Sequence, residues 1–295
     1  MPIAHCLIDY LYPPQNTLHM KKQPAIIGAF IMASLYSNAQ EHQLVKKWET
    51  DTLLKVPESV LYDAANKVLY VTNIDGQPWE KDNKGSVGKV GLDGKIITVD
   101  WVSGFSAPKG MGLYKNNLYV ADLDKVGVID IKKGTLAQTI PITGAEGLND
   151  LTVDKNGVVY VSDSKTKKIH RIENGQVTTF LENLKGPNGV LIDGDNLYVL
   201  DAGGLYKVEK DKALTKLADG METSTDGLEH VTGKDYIVSC WIGTVYYVKG
   251  DGTKQLLLDT REQKSNTADI GYDAKNRIVF VPTFFKNKIV AYELK

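Results

Sequence analysis

The sequence predicts an all-β fold, a six-bladed β-propeller of four-stranded antiparallel blades. Three observations predict it. A short motif returns six times along the chain. Its period is close to 40 residues and is filled with short apolar-aromatic runs. The joints between those runs carry turn residues, and no stretch shows a sustained amphipathic helical period with caps.

The repeat pairs a polar or glycine-containing opening with an apolar strand, a turn and a second strand rich in Val, Tyr and Leu. The copies are 57–63 with 68–72, 108–114 with 117–121, and 148–154 with 158–162. The remaining three are 187–193 with 196–200, 225–231 with 236–239, and 267–273 with 277–281. Set in register, they place Glu58, Lys109, Asn149, Asn188, Asp226 and Ala268 at one equivalent position. The spacings are 51, 40, 39, 38 and 42 residues, which suits a four-stranded blade. Asp63 to Asn66, Asp154 to Gly157 and Asp273 to Asn276 read as tight turns, while Asp93-Gly94 and Asp251-Gly252 mark outer hairpins. Residues 43–50 are expected to pair with the final strand at 289–293 and so close the ring without a free edge.

The N-terminus reads as an export signal. Lys21 and Lys22 precede an apolar run from Ala25 to Leu35 and then Ser37-Asn38-Ala39. That order is charged, apolar, then small. The expected division is a leader over 1–39, with Met20 as the start, and one propeller over 40–295. The apolar run is too short to span a bilayer. The expected destination is therefore periplasmic or extracellular, with no membrane attachment after signal removal. Cys240 is then the one cysteine left, in a strand-like run that suits a buried, inert thiol.

A net charge of −1 and the absence of basic runs interleaved with aromatics argue against a nucleic-acid partner. The expected partner is a small-molecule substrate, and the expected state is a monomer. In a propeller the inner strand of each blade lines the central channel, so its first residues ring one mouth. Glu58, Asn149, Asn188 and Asp226 then offer two carboxylates and two amide oxygens without His or Cys, a hard-oxygen set that suits Ca²⁺. With so few charged ligands, the expected dissociation constant is about 10⁻⁴–10⁻³ M or somewhat tighter. Lys109 falls in the same ring. It either competes with a cation or reaches up to receive a substrate carboxylate or phosphate.

These motifs resemble those of the senescence-marker-protein/gluconolactonase (regucalcin-like) family of six-bladed, divalent-metal-dependent lactonases, with relatives that hydrolyse organophosphates. Glu58-Ser59 looks like the first-blade motif, whose Glu binds metal. Leu148-Asn149-Asp150 is similar to the third-blade motif, whose Asn lines the substrate site or reaches the metal. Asn188-Gly189 and Asp226-Gly227-Leu228 match the fourth- and fifth-blade motifs. Both of these supply ligands, and the fifth-blade Asp is also the usual base. The chain departs from the family in lacking Pro after Ser59, in Gly147 where sugar-acid lactonases carry Arg, and in Lys109.

The resemblance implies a metal-dependent hydrolase acting on a lactone or ester, with a metal-polarised carbonyl and a carboxylate general base. Asp226 is the first candidate base and Asp150 the second. Adjacent strand residues face opposite ways, so Asp150 reaches the site only if the start of its strand is irregular. Asn149 and Lys109 are the candidate substrate contacts. Two alternatives stand beside this reading: a non-catalytic secreted ligand- or protein-binding propeller, and a phosphotriesterase-like relative.

Overall fold

The computed structural model describes residues 41–295, so the leader read over 1–39 lies outside the described residues. Six four-stranded antiparallel sheets make up the fold. Each blade begins with an inner strand: Pro57–Asp63, Pro108–Tyr114, Leu148–Val153, Pro187–Asp193, Thr225–Thr232 and, shortest, Gly271–Asp273. Each inner strand packs against the next, and the first meets the last, so the cycle closes. The sole helical element among the described residues is a 3₁₀ turn at Phe284–Lys286. The six-bladed propeller expected from the repeat is the fold observed.

The gradient of burial explains the composition of each strand. The second strand of a blade is covered on both faces by neighbouring blades, and Val68–Asn73 is buried at every residue. The outermost strand is covered on one side only, and Thr135–Pro141 buries little besides Ile140. Apolar residues from adjacent blades form the layers between them. One such layer joins Ala121, Val126 and Ile140 of the second blade to Leu148, Val159 and Val161 of the third. A fully buried Val or Leu contributes about 1.5–3 kcal/mol. Closure follows the expected route, with Leu44–Glu49 pairing antiparallel to Ile289–Leu294 as the outer strand of the last blade.

The inner strands do not start as regular ladders. In the first five blades the register slips immediately after the first residue: Pro57/Val60, Pro108/Met111, Leu148/Leu151, Pro187/Val190 and Thr225/Leu228. Two inner-strand residues therefore oppose one on the second strand, the signature of a β-bulge. A hydroxyl opposite the bulge accepts its freed N–H in three blades: Thr72 from Ser59, Ser162 from Asp150, and Ser239 from Gly227. The irregular start on which Asp150's access depended is thus present, and it recurs around the channel.

A second device fixes the loops that lead into these strands. Asp122, Asp163 and Asp201, each closing a second strand, accept backbone N–H groups from the preceding loop. The donors are Ser106 and Ala107, Glu146 and Gly147, and Lys185 and Gly186. Those N–H groups lie two or three residues before Lys109, Asn149 and Asn188. Asn73 serves the first blade in the same way, accepting from Lys55. Otherwise unmade hydrogen bonds of the loop are satisfied, and the next side chain is aimed at the channel.

Candidate functional site

The bulges set the channel in two tiers. The upper tier is Glu58, Lys109, Asn149, Asn188, Asp226 and Ala268; the residue following each makes the lower tier, Ser59, Gly110, Asp150, Gly189, Gly227 and Asp269. Glycine has a specific use at two lower positions. A Cβ on Gly110 would lie 2.2 Å from Asp150 Oδ1, and one on Gly227 would lie 2.8 Å from Asp269 Oδ1. The two lower carboxylates occupy the space those glycines leave.

The upper tier is buried, apart from half-buried Asn188, and is incompletely bonded. Lys109, 2% exposed, brings Nζ to 3.8 Å from Glu58 Oε1, an ion pair without a hydrogen bond. Glu58 Oε2 is buried with no partner. Asn188 donates from Nδ2 to Asp226 Oδ1 at 2.8 Å, while its own Oδ1 is buried and unpartnered. Asn149 donates from Nδ2 to Ser164 Oγ at 3.2 Å, and that hydroxyl donates onward to the Pro187 carbonyl. Ala268 contributes no polar group and packs with Ile74, Ala107, Leu123 and Phe284.

The lower tier is more fully bonded. Asp150 Oδ1 accepts from its neighbour Leu151 N–H, and Oδ2 accepts from Val190 N–H in the next blade, both at 2.7 Å. Asp269 accepts from Ser59 Oγ at 2.5 Å, joining the last blade to the first. Below it lies a cavity of about 180 Å³ lined by Ser59, Asp150, Glu229 and Asp269 among others. Larger grooves of about 640 and 740 Å³ lie between blade edges, one along Tyr160 and Phe180 and one along Tyr70 and Lys89. Neither contains a ring residue.

Crowding four carboxyls around one ammonium raises their affinity for protons. Burial, partly offset by Lys109, pushes the Glu58 carboxyl up to about 6. Burial and then the Glu58 charge push Asp269 up to about 8. Asp226 is raised well above the usual range by burial, then by Glu58 and Asp269, against the pull of Lys109 and the Asn188 bond. Asp150 is raised by burial and Asp269, opposed by its two backbone donors. Burial lowers Lys109, and Glu58 and Asp226 oppose that shift.

The structure brings Glu58 to Lys109 and Asn188 to Asp226, and it turns Asn149 toward Ser164. Among the described residues no group of three or more His, Cys, Asp or Glu side chains is arranged as a metal cluster; the ring is a mixture of carboxylates and amides. Cys240 is fully buried, its thiol pushed up to about 12 mainly by burial, as expected of an inert side chain. His230 is half-buried near Asp193, 3.7 Å away, rather than enclosed in a core.

The aromatic residues divide. Phe105 is a core residue, and Trp101 stacks on Tyr70. Trp79, Trp241 and Phe285 stand exposed on loops at the mouth. Two features were missed in the sequence: the contact of Trp79 with Lys109, and the aspartate clamps. The clamps had a visible signal, because Asp122, Asp163 and Asp201 each follow directly on a strand of the repeat.

Comparison with known proteins agrees with the propeller fold. No curated protein matches the chain. A chain of a nidogen/laminin complex superposes with a TM-score of 0.61 at 19% identity, over 74% of this chain and 84% of that one. Virginiamycin B lyase from Staphylococcus aureus gives a TM-score of 0.63 at 14% identity, over 86% of this chain and 100% of its own. Such identities establish the fold alone. Residues 56–230, more than half of the sequence, match the SMP-30/Gluconolactonase/LRE-like region. The chain therefore belongs to the SMP-30/gluconolactonase/LRE-like family.

Proposed function

We propose that the protein is a divalent-cation-dependent hydrolase of a lactone or ester, with Ca²⁺ held by Glu58, Asn149, Asn188 and Asp226. The observation that carries this reading is a pair of buried oxygens in the upper tier with no partner among the described residues: Asn188 Oδ1, next to Asp226 in the ring, and Glu58 Oε2, separated from Asp226 by Ala268. Buried polar atoms are nearly always bonded, so two orphans in one tier support an absent partner. Oxygens of carboxylate and amide type suit a hard cation. The charge balance supports it too. Glu58, Asp150, Asp226 and Asp269 outnumber Lys109 by three negative charges when ionised, and a divalent ion reduces that excess to one.

A bound ion of this kind supplies polarisation of the substrate carbonyl and stabilises the negative charge that develops there. The chain's own residues supply the rest. Asn188 holds Asp226 by one oxygen, leaving the other to take a proton from an attacking water. Burial and the neighbouring carboxylates by themselves raise the proton affinity of Asp226, and a bound divalent ion would favour the ionised form that a base needs. Asp150, engaged by two backbone N–H groups, is assigned the task of fixing the third blade against the fourth. Lys109 and Asn149 face the incoming substrate.

The test is hydrolysis of simple lactones and aryl esters with Ca²⁺ or with chelator, in the wild type and in Glu58→Gln. The expected result is Ca²⁺-stimulated turnover that Glu58→Gln abolishes without loss of fold. Turnover indifferent to both would remove the cation site, and no turnover on any substrate would leave a binding propeller.

A further inference from the structure

Lys109 is a buried ammonium with three donors and no hydrogen bond among the described residues. Its Nζ lies 3.8 Å from Glu58 Oε1 and 4.5 Å from the centroid of the Trp79 ring. Lys165 brings a second ammonium to the same ring, with Nζ 4.9 Å from its centroid and no carboxylate within ion-pair distance. The stem of Lys165 lies over Gly147, where an added Cβ would meet its Cγ at 2.6 Å. Glycine at 147 therefore makes room for a lysine arriving from the neighbouring loop. The two cations repel one another, and Trp79, 42% exposed on the long loop between Asn73 and Gly85, is the group they share.

Cations on an aromatic face gain about 0.5–2 kcal/mol each. Water reaches exposed Lys165, but an aromatic face does not satisfy the three N–H donors of buried Lys109. A small anion between the two would, through charge-assisted hydrogen bonds of the kind that favour carboxylates and phosphates. We propose that Lys109 and Lys165, seated on Trp79, form an oxyanion clasp at the mouth, so that the substrate is a lactone or ester bearing a carboxylate or phosphate group. The inference rests on the mouth being the substrate site. Asn149 stands beside the clasp in the ring, and Glu58 and Asp226 mark the side on which the scissile carbonyl would lie. A dianionic phosphate and a monoanionic carboxylate share this chemistry, and the experiment separates them.

Titration calorimetry of the full chain with succinate, phenyl phosphate and neutral dimethyl succinate reads the clasp directly, in chelator and again in Ca²⁺. The expected result is binding of at least one anion and none of the diester. Lys165→Met should weaken anion binding about tenfold, the loss of one charge-assisted contact, while the exposed Lys132→Met leaves it unchanged. Lys165 is exposed, so its variant stays informative even if Lys109→Met fails to fold. Preference for succinate or for phenyl phosphate identifies the group. Absence of anion binding, or binding insensitive to Lys165→Met, overturns the clasp. The titration needs no turnover. Binding without hydrolysis of any ester would retire the hydrolase reading and keep the clasp, and hydrolysis without anion binding would do the reverse.

Discussion

Both tiers of the channel bury carboxyl groups, yet they differ in what those groups are bonded to. In the lower tier Asp150 is held by Leu151 and Val190 N–H groups, and Asp269 by Ser59. In the upper tier Glu58 Oε2 and Asn188 Oδ1 have no partner, and Lys109 has only a long ion pair and an aromatic face. Burial and charge are therefore alike for carboxyls of the two tiers, and the completeness of hydrogen bonding is what differs. A carboxylate whose oxygens are engaged holds blades together, and one with an idle oxygen is available to a ligand.

The contrast can be broken most sharply at Asp226. Asp226→Asn keeps size and the Asn188 contact but removes the base and one ligand charge. The rate of ester or lactone hydrolysis should fall about 10²–10⁴-fold, measured by steady-state kcat/KM, while the melting temperature holds or rises because a buried charge is gone. Equal activity would place the base elsewhere.

Asp150→Ala should act on the other property. It strands two buried backbone donors, at about 1–3 kcal/mol each, so chemical unfolding should show a loss on the order of 3 kcal/mol. An Asp150→Ala protein that keeps full stability would dissolve the distinction between the tiers. A smaller effect is expected from Lys109→Met. Removing the resident ammonium should tighten Ca²⁺ binding about tenfold, the equivalent of one weakly screened charge contact. An unchanged Ca²⁺ isotherm would mean that Lys109 does not compete for that position.

A separate effect is a drift of stability with pH. Asp269, pushed up to about 8, keeps its proton in the folded chain where the unfolded carboxyl, near 3.8, has lost it. Folding then takes up protons between about pH 4 and 8. Stability on this account is fully present at the acid end and declines as pH rises through the window. Glu58, at about 6 against 4.5, adds in the same direction over a narrower range. In chelator the melting temperature should fall clearly from pH 5 to 8, and Ca²⁺ should restore more of it at pH 8. A rise with pH in chelator would contradict these shifts.

The features legible in the sequence were those that repeat. Six copies of one motif gave the blades, their register gave the ring from Glu58 to Ala268, and the need to leave no free edge gave the closing pair of strands at 43–50 and 289–293. What repeats less openly was lost. The bulges follow from hydrogen-bond geometry that a residue string does not display, so the bonds of Asp150 to Leu151 and Val190 were not legible. The clamps at Asp122, Asp163 and Asp201 were visible as an Asp after each strand, but an Asp at a strand end also reads as a turn former. The meeting of Trp79 with Lys109 and Lys165 depends on the path of a long loop, which no local pattern specifies.

The central claim, that the upper tier binds a divalent cation and the lower tier binds the fold, is tested most directly by Ca²⁺ calorimetry on three proteins. The wild type should bind one Ca²⁺, Glu58→Gln should bind none while melting as the wild type does, and Asp150→Asn should bind Ca²⁺ while melting earlier. Binding that survives Glu58→Gln and is lost in Asp150→Asn, or no binding in the wild type, would contradict it.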